Sequence, residues 1–174
     1  GGLVSASWFR KDLKNPIEYV QRVASFDYTT AVNYPKGTLT GIEAEIRQDV
    51  GHSWEPLAGL SVGANATFLD SEVFLPQDEI DALNDPTILA PMNSRDMTNA
   101  PDFLYNLFLT YDAPTGTHFG IFYTVTGDTL LSGAGVAQER YVPNVYALEY
   151  GTLNLTVTQD IAQGIKLQFQ AKNL

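Results

Sequence analysis

The chain has 174 residues, no cysteine, two histidines, and 20 Asp and Glu against 10 Lys and Arg, for a formal net charge of −10. This excludes a disulfide framework, a cysteine-ligated zinc site and a cysteine hydrolase, and a surface so negative repels phosphate backbones, so nucleic acid is not an expected partner. Hydrophobic residues at 44% exclude a disordered chain, while 17% charged and 11% aromatic residues depart from the roughly 25% charged residues of soluble domains and point to an outer surface that is not wholly wet.

No apolar run approaches the ~18 to 20 residues of a membrane helix. Gly1-Gly2-Leu3-Val4-Ser5 has no starting Met, no basic head and no apolar stretch, so any export signal is expected upstream.

Taken in chain order, the dominant periodicity is two, which on a pleated strand sends alternate side chains to opposite faces. Val4, Ala6 and Trp8 face away from Ser5, Ser7 and Phe9, after which Lys11 to Pro16 reads as an interruption before Ile17-Glu18-Tyr19-Val20 resumes. Pro16 suits an edge, bulge or loop. Ile42, Ala44 and Ile46 alternate with Glu43, Glu45 and Arg47; a medium connection from Gly51 to Gly59 leads to Leu60, Val62, Ala64, Ala66 and Phe68, alternating with Ser61, Gly63, Asn65 and Thr67. A long excursion runs from Ser71 to Ala100. Phe103 to Asp112 then has a fully apolar face (Phe103, Tyr105, Leu107, Leu109, Tyr111), and Ala113-Pro114-Thr115-Gly116 is a tight turn into His118 to Asp128. A second excursion runs from Leu131 to Val145. Leu153, Leu155 and Val157 alternate with Asn154, Thr156 and Thr158, and a turn from Asp160 to Gly164 returns through Ile165, Leu167, Phe169 and Ala171.

These are about seven strands, most of about ten residues or more, where globular proteins favour about five or six. In an antiparallel meander successive connections fall at opposite ends of the sheet, so the short turns gather at one end and the long excursions at the other. That asymmetry, with Trp8, Phe68, Tyr105, Tyr111 and Phe119 suited to interfacial girdles, predicts an all-β fold forming a sector of a transmembrane β-barrel. Periodicity alone leaves a soluble β-sandwich binding module open.

Residues with chemical potential are sparse. Gly59-Leu60-Ser61-Val62-Gly63 matches the G-x-S-x-G pattern, but that nucleophile needs a sharp strand-to-helix turn and here the alternation runs straight through. His52 lies in a turn and His118 at a strand start, neither with a carboxylate at ligand spacing. Asp70 to Asp85 is acidic without Lys or Arg, and its spacing does not match an EF-hand. No catalytic residue, metal site or cofactor is expected, and the chain is not read as an enzyme.

Several segments, read in order, resemble the carboxy-terminal barrel region of TonB-dependent outer-membrane receptors. Asn33 to Glu45 resembles the family's N-x-x-x-G-x-x-x-G-x-E strand, and Leu60 to Ser71 its following outgoing strand. Asn99-Ala100-Pro101-Asp102-Phe103-Leu104-Tyr105-Asn106 is similar to its P-x-x-x-x-N run, and Phe169 to Leu174 to the x-x-x-N-L before its last strands. The resemblance spans residues 1–174 and implies an internal piece, without plug and final strands, of a barrel of about 22 strands.

It further implies a receptor in the bacterial outer membrane that imports a scarce nutrient chelate, foremost a ferric siderophore. Its implied partners are lipid and lipopolysaccharide, its own plug and remaining strands, and the TonB complex of the inner membrane. A passive porin-type barrel is the alternative. In such receptors the loops hold cargo, which nominates Asn93, Arg95, Arg140 and Tyr141, because an Arg fork or an aromatic platform can hold an anionic or planar chelate. The inward Glu43, Glu45 and Arg47 are nominated to face the plug.

Overall fold

The computed structural model describes residues 1–88, 90–137, 140–162 and 164–174. Leu89, Gln138 and Glu139, in the two predicted excursions, and Gln163, in the last predicted turn, lie outside the described residues. In chain order the strands are β1 (Gly2–Lys14), β2 (Ile17–Val23), β3 (Asp27–Asn33), β4 (Lys36–Asp49), β5 (Leu60–Phe74), β6 (Ser94–Arg95), β7 (Phe103–Asp112), β8 (Thr117–Thr126), β9 (Thr129–Ser132), β10 (Gly135–Ala137), β11 (Arg140–Val142), β12 (Val145–Ala147), β13 (Tyr150–Ala162) and β14 (Ile165–Ala171). Two short helices, α1 (Val50–Ser53) and α2 (Gln77–Leu83), complete the elements with a single 3-10 turn at Glu55–Leu57.

Seven strands form one antiparallel meander in the order β1-β4-β5-β7-β8-β13-β14, with β6 added beside the end of β5. Its register aligns the alternation of each strand with that of its neighbours. One face carries the row Trp8–Ile42–Phe68–Phe103 and, one step deeper, Ala6–Ala44–Ala66–Tyr105–Val125. Near its other end lies the row Leu60–Tyr111–Phe119–Val157–Phe169. A one-residue slip anywhere would turn a whole strand over, so this uniform apolar face specifies the pairing. From Leu60 to Phe68 the band spans eight steps of ~3.3 Å, about 26 Å along the strand and about 20 Å of height at a tilt near 40°, close to the ~25 Å apolar band of outer-membrane barrels. Trp8 remains 65% and Phe68 58% exposed, so among the described residues most of this face is uncovered, whereas Val125 is buried.

The opposite face is polar and cross-linked. Asn106 donates to Asn65 at 2.8 Å and Thr124 to Asn106 at 2.6 Å, linking β5, β7 and β8. Its aromatic members lie over glycines: a Cβ on Gly41 would fall 2.4 Å from the Phe9 ring and one on Gly63 2.3 Å from the Phe108 ring. Gly41 belongs to the glycine pattern of Asn33 to Glu45, and this close approach of a ring explains why that position needs hydrogen alone.

The structure departs from the sequence reading along the first segment. Lys11 to Lys14 do not interrupt: β1 pairs with β4 without a break from Gly2 opposite Gln48 to Lys14 opposite Lys36. Asn15, at φ 51°, then turns the chain in the left-handed region that Asn tolerates, and Pro16 follows outside the sheet. Ile17 to Val23 is not a continuation but one arm of a separate hairpin with β3. Residues 15–35 are thus a third long loop, at the same end of the sheet as residues 75–102 and 127–149, while the three short connections occupy the other end. The predicted asymmetry is therefore stronger than the sequence reading had it.

At the short-turn end a second correction concerns His118, whose Nδ1 stands 2.7 Å from an Asp112 carboxylate oxygen, a neighbour supplied by register rather than by sequence spacing. Gly59 to Gly63 contains no nucleophile turn, since Ser61 lies within β5 opposite Thr110. Among the described residues no group of three or more His, Cys, Asp or Glu could hold a metal, and no helix is long and apolar enough to cross a membrane.

Candidate functional site

The buried cluster lies among the three long loops and the end of β5 beneath them. Val20 of the first loop, Tyr34 at its end, Val73 and Leu75 where β5 leaves the sheet, and Leu83 of α2 form one buried cluster. Backbone bonds fasten the third loop to the other two: Gly133 donates to Tyr19 at 2.8 Å, Gln21 donates back to Gly133 at 2.9 Å, and Asn99 donates to Leu130 at 2.9 Å. Gly133 and Gly135 allow this approach. A Cβ at Gly135 would fall 1.8 Å from the Gln21 carbonyl oxygen and one at Gly133 2.0 Å from the Arg95 guanidinium.

Each arginine of the long loops meets a carboxylate from a different loop. Arg22 of the first loop pairs with Glu79 of the second, and the Tyr34 hydroxyl donates to the other Glu79 oxygen. Arg95 of the second loop stands 3.8 Å from Glu18 of the first, both fully enclosed, with the guanidinium 5.0 Å from the Tyr34 ring centroid. Arg140 of the third loop pairs with Asp27 of the first at 3.0 Å. Glu18 also accepts the Thr98 backbone N–H at 2.9 Å. Burial nonetheless outweighs the Thr98 bonds and Arg95, and holds the Glu18 carboxyl above its ordinary pKa. The Tyr34 hydroxyl is likewise pushed upward, mainly by burial.

Beside this network the field is negative. Asp96 is pushed above its ordinary pKa by partial burial and then by the carboxylates of Asp102 and Asp70, with Arg95 opposing. All three loops also border one crevice of about 270 Å³, between Arg22, Asp78, Glu79 and Leu83 on one side and Ala134, Gly135 and Val136 on the other.

The structure distributes the nominated residues unevenly. Asn93 is exposed beside β6, its backbone carbonyl accepting from Leu75 N at 3.0 Å. Arg95 is buried between Tyr34, Glu18 and Gly133. Arg140 and Tyr141 lie on exposed β11, opposite Ala137 and Val136 of β10. These four are not gathered into one site. Glu43, Glu45 and Arg47 occupy the polar face at mid-height, with Ser7 donating to Glu43 at 3.3 Å, Arg47 to Glu45 at 3.3 Å, and the Arg47 guanidinium 5.6 Å from the Phe108 ring centroid. Sequence reasoning missed Glu18, Glu79, Tyr34 and the Gly133/Gly135 pair. The closely spaced glycines of Ser132-Gly133-Ala134-Gly135 were the available signal.

Comparisons with known proteins agree with this architecture. Three solved structures share the fold: the ferric-catecholate import receptor Fiu of E. coli K12 (17% identity, TM-score 0.60, 99% of this chain and 21% of that one), the ferric enterobactin receptor PfeA of Pseudomonas aeruginosa (20%, 0.61, 100% and 23%), and the copper transporter OprC (13%, 0.65, 99% and 23%). The chain thus spans about a fifth to a quarter of their length. No curated protein matches by sequence. The family model described as TonB dependent receptor-like, beta-barrel, matches residues 1–174, and with that match across the full sheet the chain belongs to the TonB-dependent receptor β-barrel family.

Proposed function

We propose that this chain is a wall sector of an outer-membrane active-transport receptor that binds a scarce nutrient as a metal chelate, with ferric siderophores as the leading class, and imports it with energy from the TonB system. The observation that carries this reading is the register: across seven strands an apolar face about 20 Å tall is uninterrupted by charge, while the opposite face carries Glu43, Glu45, Arg47 and the Asn65–Asn106–Thr124 chain. Support also comes from the relatives, two of which carry ferric chelate receptors in their descriptions. In this reading the apolar face meets lipid and lipopolysaccharide acyl chains, and Glu43, Glu45 and Arg47 meet the plug. The three long loops form part of the outer vestibule, where exposed Asn93 and Tyr141 are the contact candidates.

The wall does no covalent chemistry. It holds the vestibule in shape while a plug moves. The test is uptake of radiolabelled ferric chelates by cells carrying the full-length receptor, with and without a functional TonB. Uptake that disappears without TonB supports the proposal; uptake that persists unchanged favours the passive porin-type reading.

A further inference from the structure

The three long loops together contain eleven Asp and Glu, three Arg and no Lys, a net charge of −8. All three arginines already face carboxylates: Arg22 hydrogen-bonds Glu79, Arg140 hydrogen-bonds Asp27, and Arg95, buried and without a side-chain hydrogen bond of its own among the described residues, stands 3.8 Å from Glu18. Each pair joins two loops, the Arg22 and Arg95 pairs through a buried carboxylate and the Arg140 pair at the exposed edge. Eight carboxylates are left with no loop cation to balance them. Asp78, Asp81 and Asp85 are exposed on or beside α2, and Asp78 borders the crevice where all three loops meet. Partial burial, and after it the carboxylates of Asp102 and Asp70, raise the Asp96 pKa in the same layer.

A polyanionic ligand needs unpaired guanidinium or ammonium groups to replace its hydration, and on approach to this layer it meets repulsion from the excess carboxylates. A cationic or neutral ligand meets attraction or indifference. We infer that this loop layer is the charge-selective part of the receptor's mouth, whose cargo is a neutral or cationic metal chelate and not a polyanionic one such as a ferric tris-catecholate. The inference rests on the chelate-receptor reading above and narrows its substrate class.

The test uses the full-length purified receptor and three ferric probes: a trianionic tris-catecholate, a neutral tris-hydroxamate, and a hydroxamate chelate bearing one ammonium group. The expected result is that the trianion binds about tenfold or more weakly than the cationic probe at low ionic strength. The gap should narrow as salt screens the field, and narrow again in a D78N/D81N/D85N variant, whose exposed positions leave the loop core untouched. Tightest binding of the trianion, or a probe ranking that neither salt nor the triple variant moves, overturns the charge-selective mouth while leaving the receptor reading intact. Failure of all three probes to bind, with the receptor folded, overturns the chelate-receptor reading itself and this inference with it.

Discussion

The sheet and the loop layer are built on opposite plans. In the sheet the large apolar side chains point outward and stay uncovered, as Trp8, Ile42 and Phe68 do, and strand order depends on a period-two pattern matched across seven strands. In the loop layer Val20, Tyr34, Val73 and Leu83 are fully or nearly fully buried and charged groups are enclosed with them, as in the interior of a water-soluble domain. The position at which a charge is costly should therefore differ between the two regions: on the outer face of the sheet, and in the interior of the loop layer when it is left unpaired.

The largest expected effect lies in the loops. Arg95→Met leaves Glu18 buried without its cation and should destabilise the layer by about 3–5 kcal/mol, read as lost hydrogen-exchange protection across residues 17–33 with protection of β7 and β8 unchanged. Adding Glu18→Gln should restore much of it. In the sheet, Leu107→Arg places a charge at the middle of the apolar face and should cost about 2–4 kcal/mol in bilayers, measured by urea unfolding. Thr67→Arg, one face over and beside Glu43, should change stability far less. Equal costs at the two positions would sink the two-plan comparison.

A pH effect sharpens it. Burial raises the Glu18 pKa, and partial burial with Asp102 and Asp70 raises that of Asp96. Both groups are more easily protonated in the folded loops than when released, so their contribution is fully present below the ordinary carboxylate range and is lost as pH rises through their raised values. Exchange protection of the loop layer, corrected for intrinsic rates, should fall over that rise, and the fall should flatten in Asp96→Asn. The smallest effect is expected at Arg140→Ala: its pair with Asp27 is exposed, with side-chain exposures of 63% and 39%, and exposed pairs contribute about 0–1 kcal/mol.

The sheet was legible in the sequence because bilayer and lumen impose alternate chemistry on every second residue. That same rule explains what was misread. Above Trp8 the outward positions become Arg10, Asp12 and Lys14 because the strand has left the apolar band, with Thr40 and Asp70 level with Arg10 and Thr38 and Glu72 level with Asp12. The pattern changes solvent while the strand continues. The loop layer was largely illegible because its contacts join residues as far apart as Glu18 and Thr98 or Gln21 and Ser132, and no local period records such a meeting. Arg95 and Arg140 stood out as cations in loops, but only the fold shows that each has a carboxylate from another loop beside it.

The 15–35 segment holds three charged residues, Glu18, Arg22 and Asp27, and every one of them is engaged by a neighbouring loop. Natural or engineered exchange of a single loop between related receptors would thus strand an ion in the segments left behind. Folded chimeras at this rim should require transplanting the three together, and, on the receptor reading proposed above, cargo preference would be inherited as a block.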